Sequence, residues 1–121
     1  MNQDGTLNSA DNPAHPGDVI TLFATGEGQT TPVGVDGKSA AAPLPQPIVR
    51  PQVWIGLGSG PNCDDCDAAQ LQYAGGAPGE IAGLMQINAV IPRDIQTGKT
   101  VPVLVTVGSG TSQLGVTMAV R

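Results

Sequence analysis

Apolar and polar residues alternate along much of this chain with a period of two. Met85, Ile87, Ala89 and Ile91 interleave with Gln86, Asn88 and Val90, which predicts a strand with one buried face. Gly75, Gly76, Pro78 and Gly79 precede it and predict a turn, and Pro92 ends the ladder because it has no N–H to donate. Val19 to Thr25 reads as a second strand, with Val19, Thr21 and Phe23 on one face and Ile20, Leu22 and Ala24 on the other. Between Ile48 and Leu57 a strand centres on Val53-Trp54-Ile55, and Trp54 shares with Gln52 the face opposite Val53 and Ile55. Ala69 to Tyr73 predicts a short strand with Leu71 and Tyr73 inward. Val101 to Val107 is rich in β-branched residues, and Pro102 near its start suggests an edge or a bulge. Gln113 to Val120 closes the chain, with Leu114, Val116, Met118 and Val120 on one face.

Turn chemistry separates these runs. Asn2 to Pro13 is turn-rich, Gly26-Glu27-Gly28 breaks the first strand, and Gly108-Ser109-Gly110 predicts a hairpin turn. Gln29 to Pro47 is a long loop, where Pro43, Pro45 and Pro47 favour extended polyproline geometry. Gly58 to Asp67 is a polar excursion, and Arg93 to Lys99 a turn with room for a single helical turn. The 121 residues make one domain, 1–121. Its expected class is all-β: an immunoglobulin-like antiparallel β-sandwich with Greek-key connections and six to eight strands. A closed barrel is the second choice.

Composition narrows the picture. Only Phe23, Trp54 and Tyr73 are aromatic, so the core must be built from Val, Ile, Leu, Ala and Met. Seventeen glycines and eleven prolines punctuate patterned strands, which favours turns over disorder. The net charge of −5 and five scattered basic residues argue against nucleic acid as a partner. No apolar run approaches the ~20 residues of a membrane helix, so no membrane insertion is expected. The residues after Met1 lack the charge pattern and apolar region of a signal peptide. Low charge with many Thr, Ser, Asn and Gln suits an extracellular protein.

Four segments carry a resemblance: NQDGTLNS with Pro-Ala behind it at Asn2 to Ala14, GDVITLFATGEG at Gly17 to Gly28, YAGGAPG at Tyr73 to Gly79 followed by LMQINAVIP, and the ending from VPVLVTVG to Val120. In these the chain resembles the C-terminal domain repeated across large secreted proteins of soil acidobacteria, of the Solibacter type. The resemblance spans nearly the whole chain. It implies an extracellular, immunoglobulin-like sandwich of a secreted or cell-surface bacterial protein, and no known catalysis. Such domains carry an apolar strand just before the Asn-Gln-Asp-Gly motif, here absent or reduced to Met1. They also have a short turn where this chain has Cys-Asp-Asp-Cys.

Cys63 and Cys66 supply two of the four ligands zinc wants, and His15 is the only histidine. A Gly/Pro loop offers no helix N-terminus to activate a redox thiol. A local disulfide between Cys63 and Cys66 suits an extracellular protein, with free thiols, metal binding and redox chemistry as the alternatives. Asp64, Asp65 and Asp67 beside Asn62 could hold calcium with backbone carbonyls, but a solvated acidic loop is favoured and no metal site is expected. Asn2, Asp4, Thr6 and Asn8 faintly resemble a calcium loop; without a closing Glu they suit Asx-turn hydrogen bonding better.

No catalytic residues emerge. There is no nucleophile-elbow serine and no phosphate loop, and Glu27 and Glu80 both lie in glycine-flanked turns. The expectation is a non-enzyme without cofactors. Trp54, Gln86 and Asn88 are the candidate ligand or subunit contacts. Asn-x-Ser/Thr occurs nowhere, although the Thr- and Ser-bearing Gln29–Ser39 loop could carry glycan. Two functions compete. One is a structural module that self-associates with identical subunits, by strand exchange into a fibre or surface layer. The other is a carbohydrate- or ligand-binding module using Trp54 and the Gln29–Pro47 loop.

Overall fold

The computed structural model describes residues 1–56 and 68–121. The Cys63–Cys66 pair and the Asp64, Asp65 and Asp67 cluster lie outside the described residues. Among the described residues the protein is all-β, with no helix. Nine strands follow in order: β1 Val19–Thr25, β2 Thr30–Thr31, β3 Gln46–Pro47, β4 Gln52–Ile55, β5 Leu71–Gly76, β6 Leu84–Val90, β7 Gly98–Val107, β8 Gly110–Thr111 and β9 Thr117–Val120. Every pairing between them is antiparallel. One sheet has the order β1-β6-β5, with β1 at its edge. A second is centred on β7, which pairs with β4 and with both β8 and β9. β2 and β3 form a small ribbon.

The alternation along β6 is realised in full. Met85, Ile87 and Ala89 are buried at 1% exposure or less, as is Ile91 just beyond the strand, while Leu84, Gln86, Asn88 and Val90 are only half-buried. Ile20 of β1 joins the same face, with Leu22 and Ala24 packed against it. Val53 and Ile55 of β4 and Val101 and Val103 of β7 come from the other sheet into the same cluster. The apolar faces of the two sheets therefore share one core. No aromatic side chain takes part, so that core consists of small aliphatic groups and Met.

Four expectations need correction. Gly75 and Gly76 do not form a turn; they continue β5 opposite Gln86 and Met85. The reason is a close approach of backbone. Pro45 O accepts the Gly76 N–H at 2.7 Å, and a Cβ on Gly75 would sit 2.8 Å from that carbonyl oxygen and 2.8 Å from the Tyr73 hydroxyl. Only glycine leaves room there. The chain reverses later, through Ala77 to Gly83.

Tyr73 does not face inward. The register shifts by one residue between Leu71 and Tyr73, so Leu71 lies opposite Ala89 but Tyr73 lies opposite Asn88. This bulge at Gln72 turns Tyr73 to the outer face, where its hydroxyl donates to Gly76 O at 2.8 Å. The last strand is shorter than its pattern. Leu114 is 87% and Val116 40% exposed, and only Thr117–Val120 pairs with β7. Finally, Arg93 to Thr97 holds no helical turn, and β7 starts at Gly98.

The long Gln29–Pro47 loop is pinned at three places: the β2–β3 pair, the Gly76 bond to Pro45, and a bridge between Ser39 and Ile81. Ile87→Ala should lower stability by about 3 kcal/mol, because a fully buried side chain leaves a cavity in a core with no large groups to collapse into it. Urea denaturation should show a shifted midpoint with an unchanged slope. Gly75→Ala should cost about 2 kcal/mol by overpacking against Pro45 O and should also loosen Tyr73.

Candidate functional site

β1 is an edge strand, so alternate N–H and C=O groups point away from β6. The N-terminal arm covers the first of them. Val19 N–H donates to Gln3 Oε1 at 2.9 Å. Thr21 and Met1 exchange both backbone bonds: Thr21 N–H donates to Met1 O at 2.9 Å and the Met1 amino group to Thr21 O at 2.7 Å. Met1 therefore pairs with Thr21 as a residue of an antiparallel neighbour would. Phe23 and Thr25 have the same parity, and among the described residues no hydrogen bond reaches their outward groups.

The arm is held by amides. Asn8 Nδ2 donates to Ala119 O at 2.9 Å and to Asn2 Oδ1 at 2.9 Å, while Ala119 N–H donates to Asn8 Oδ1 at 2.7 Å. The Asn8 side chain thus supplies the donor and acceptor of a strand neighbour to β9. Asn2 is buried and its Nδ2 donates to Asn12 O; Asn12 Nδ2 donates to Thr6 Oγ1 and Leu7 O. Asp4 Oδ1 accepts from Thr6 N–H and Oγ1, and these bonds hold its carboxyl below the usual range. Asn2, Asp4, Thr6 and Asn8 therefore form an Asx-type hydrogen-bonded knot. Ala14 then runs beside Val120, with Ala14 N–H donating to Ala119 O at 3.0 Å and Arg121 N–H to Ala14 O at 2.8 Å. Together the arm and Ala14 join the edges of the two sheets along one half of β1.

The other half stays open. Leu22 to Thr25 and Leu84 form one wall of a cleft of about 430 Å³, and Val103, Val105 and Val116 form much of the other. On that far wall the chain leaves β7 between two anchoring bonds, Ser112 N–H to Val105 O and Val103 N–H to Val116 O. The excursion through Gln113, Leu114 and Gly115 is what leaves Leu114 and Val116 exposed. Phe23, 49% exposed, stands at the lip. The cleft thus combines unpaired strand edge with apolar lining.

Of the residues singled out by sequence, Gln86 and Asn88 meet each other and Trp54 lies apart. Gln86 Nε2 donates to Asn88 Oδ1 at 3.0 Å, and Thr21 Oγ1 to the same oxygen at 3.3 Å. Both lie on the outer face of the central strand and form a short polar ladder. Trp54 is half-buried on the outer face of the other sheet, with its Nε1 donating to Thr106 Oγ1 at 3.4 Å. It lines neither the cleft at β1 nor the one beneath the Gln29–Pro47 loop. Phe23, which the sequence reading did not single out, lines the cleft at β1 instead. Its period-2 position on the polar face of β1 was the available signal, because an exposed Phe between Thr21 and Thr25 has no role in the core.

The loop cleft, about 590 Å³, contains Glu27. Glu27 is only 7% exposed, and its Oε2 is shut off from solvent with no hydrogen-bond partner. Burial pushes its carboxyl above the ordinary value. Burial, and secondarily the Glu27 charge, raise the Tyr73 hydroxyl as well.

Asn8→Ala should cost about 2 kcal/mol by leaving the buried Ala119 N–H unpaired, with faster hydrogen exchange at Ala119 as the specific readout. Glu27 gives a signed pH dependence. A carboxyl raised in the folded state contributes stability at low pH that is lost as pH rises through the folded value. Glu27→Gln should therefore match the parent in acid and become the more stable of the two as pH climbs past 4.5, measured by thermal melts across pH. Comparison with family models, with curated proteins and with solved structures finds no match.

Proposed function

We propose that this chain is a non-enzymatic, extracellular structural module that self-associates by accepting a strand from a neighbouring copy. The observation that carries the reading is the half-closed edge of β1. Met1 and Gln3 cover Thr21 and Val19, but among the described residues nothing hydrogen-bonds the outward groups of Phe23 and Thr25, which border a largely apolar cleft. An incoming strand in line with Met1 gains main-chain hydrogen bonds on β1. Its alternate side chains fill the space between Leu22 and Ala24 on one sheet and Val103, Val105 and Val116 on the other. Donation from copy to copy is head-to-tail and does not close on itself, so it builds a fibre or layer. The shared core of two antiparallel sheets supports an immunoglobulin-like sandwich with Greek-key connections as the scaffold, and the secretory setting rests on composition and on the resemblance to secreted acidobacterial domains. A second reading, a carbohydrate- or ligand-binding module, draws on the cleft of the Gln29–Pro47 loop, which Trp54 does not reach.

Sedimentation velocity and negative-stain electron microscopy across a concentration series test the first reading. The parent chain should form concentration-dependent, open-ended oligomers. Phe23→Lys puts a charge at the cleft lip, and Thr25→Pro removes an outward N–H without touching β6; each should leave a folded monomer and abolish assembly. A parent chain that stays monomeric at every concentration would sink the proposal, as would assembly unchanged in both variants.

A further inference from the structure

A carboxyl group shut away from water is expensive unless it is paired, and a native structure that keeps one unpaired needs a reason. Glu27 is such a group. It is the only acidic or basic side chain that is buried among the described residues, and its Oε2 has neither solvent nor a donor. The only ion pair among the described residues, His15 with Asp18, lies elsewhere. The buried Thr30 hydroxyl in the same cleft is already engaged: its Oγ1 donates to Pro32 O and accepts the Gly34 N–H. Among the described residues Glu27 Oε2 is thus the one buried side-chain nitrogen or oxygen without a partner.

Its surroundings select a ligand. Glu27 and Asp36 both line the loop cleft, so the charge there is negative and anions are disfavoured. A hard divalent cation wants six or more oxygens with several carboxylates, and no group of three or more His, Cys, Asp or Glu gathers among the described residues. A sugar ring wants an aromatic platform, and none of Phe23, Trp54 and Tyr73 lines this cleft. Besides the two carboxyls the walls carry the neutral polar Gln29, Thr30 and Thr31 and an aliphatic set, Val33, Ile48 and Ala82. Gly26 and Gly28, either side of Glu27, have positive φ of 85° and 73° and nothing within 4 Å of where a Cβ would stand. They let the chain turn sharply on both sides of Glu27, a conformation that L side chains rarely adopt.

We infer that the Glu27 cleft is a binding site for a cationic nitrogen carried on an aliphatic stem, an alkylammonium or a guanidinium. The head pairs with Glu27 at the base of the cleft and is drawn in by Asp36, while the stem lies along Val33 and Ile48. This site is separate from the open edge of β1 and does not depend on strand addition.

The test uses the Phe23→Lys chain, so that assembly cannot mask binding, in ¹⁵N-resolved NMR titrations. Agmatine is the free cation, acetyl-Gly-Arg-Gly-amide the same head on a polypeptide, and methyl β-glucoside and 1-pentanol are the neutral controls. Both cations should shift amides of Gly26 to Thr31, Gly34, Asp36 and Gly83 at saturable concentrations, and the tighter of the two tells which source the cleft prefers. Glu27→Gln, which keeps the shape, should weaken both by about tenfold or more, as loss of a charged hydrogen-bond partner does. Asp36→Asn should weaken them by about twofold, in keeping with a screened, exposed charge. The inference is overturned if neither cation shifts these amides, if a neutral control binds as tightly, or if Glu27→Gln binds as the parent does.

Discussion

The interlocking of β6 with the opposite sheet is the contact on which everything else rests. Met85, Ile87, Ala89 and Ile91 join Val53, Ile55, Val101 and Val103 in one buried cluster. These are small side chains. A core without aromatics draws its stability from many modest dispersion contacts, not from a few large anchors. It leaves little slack for repacking. It also keeps the two sheets close along β6 and β4, while the margin beside β1 is left to other means of closure.

Those means are polar. On one half of that margin, Asn8 stands in for a strand residue against Ala119, and Gln3 does the same for Val19. Side-chain amides carry the same donor and acceptor as a peptide group, so they can finish a ladder where the backbone itself cannot reach. On the other half, among the described residues, no amide hydrogen-bonds the outward groups of Phe23 and Thr25, and Leu22, Phe23 and Val116 line the cleft. The contrast between a stitched half and an open half of one strand is the structural basis for reading this surface as a receiver of another chain.

Much of the scaffold was legible in the sequence because period-2 alternation leaves few choices. The faces of β1, β4 and β6 followed directly from it. Alternation failed where one residue broke the count. The bulge at Gln72 reversed Tyr73, and the excursion at Gln113 to Gly115 removed Leu114 and Val116 from the strand that their spacing suggested. Gly75 and Gly76 misled for a different reason. Their role answers to Pro45, thirty residues away in sequence, and no local pattern reports so distant a carbonyl. Glu27 was equally opaque. Flanked by glycines it reads as a residue of a turn, and its burial depends on residues distant in sequence, such as Ile48 and Ala82, that line the same cleft.

The choice of side chains in the arm has an electrostatic meaning. Asn8 meets Ala119 and Asn2 through amide groups alone, and none of these groups gains or loses a proton. That seam therefore keeps the same donors and acceptors in acid and in alkali, and added salt has no charge there to screen. Closure along it is built to be indifferent to the ionic conditions outside.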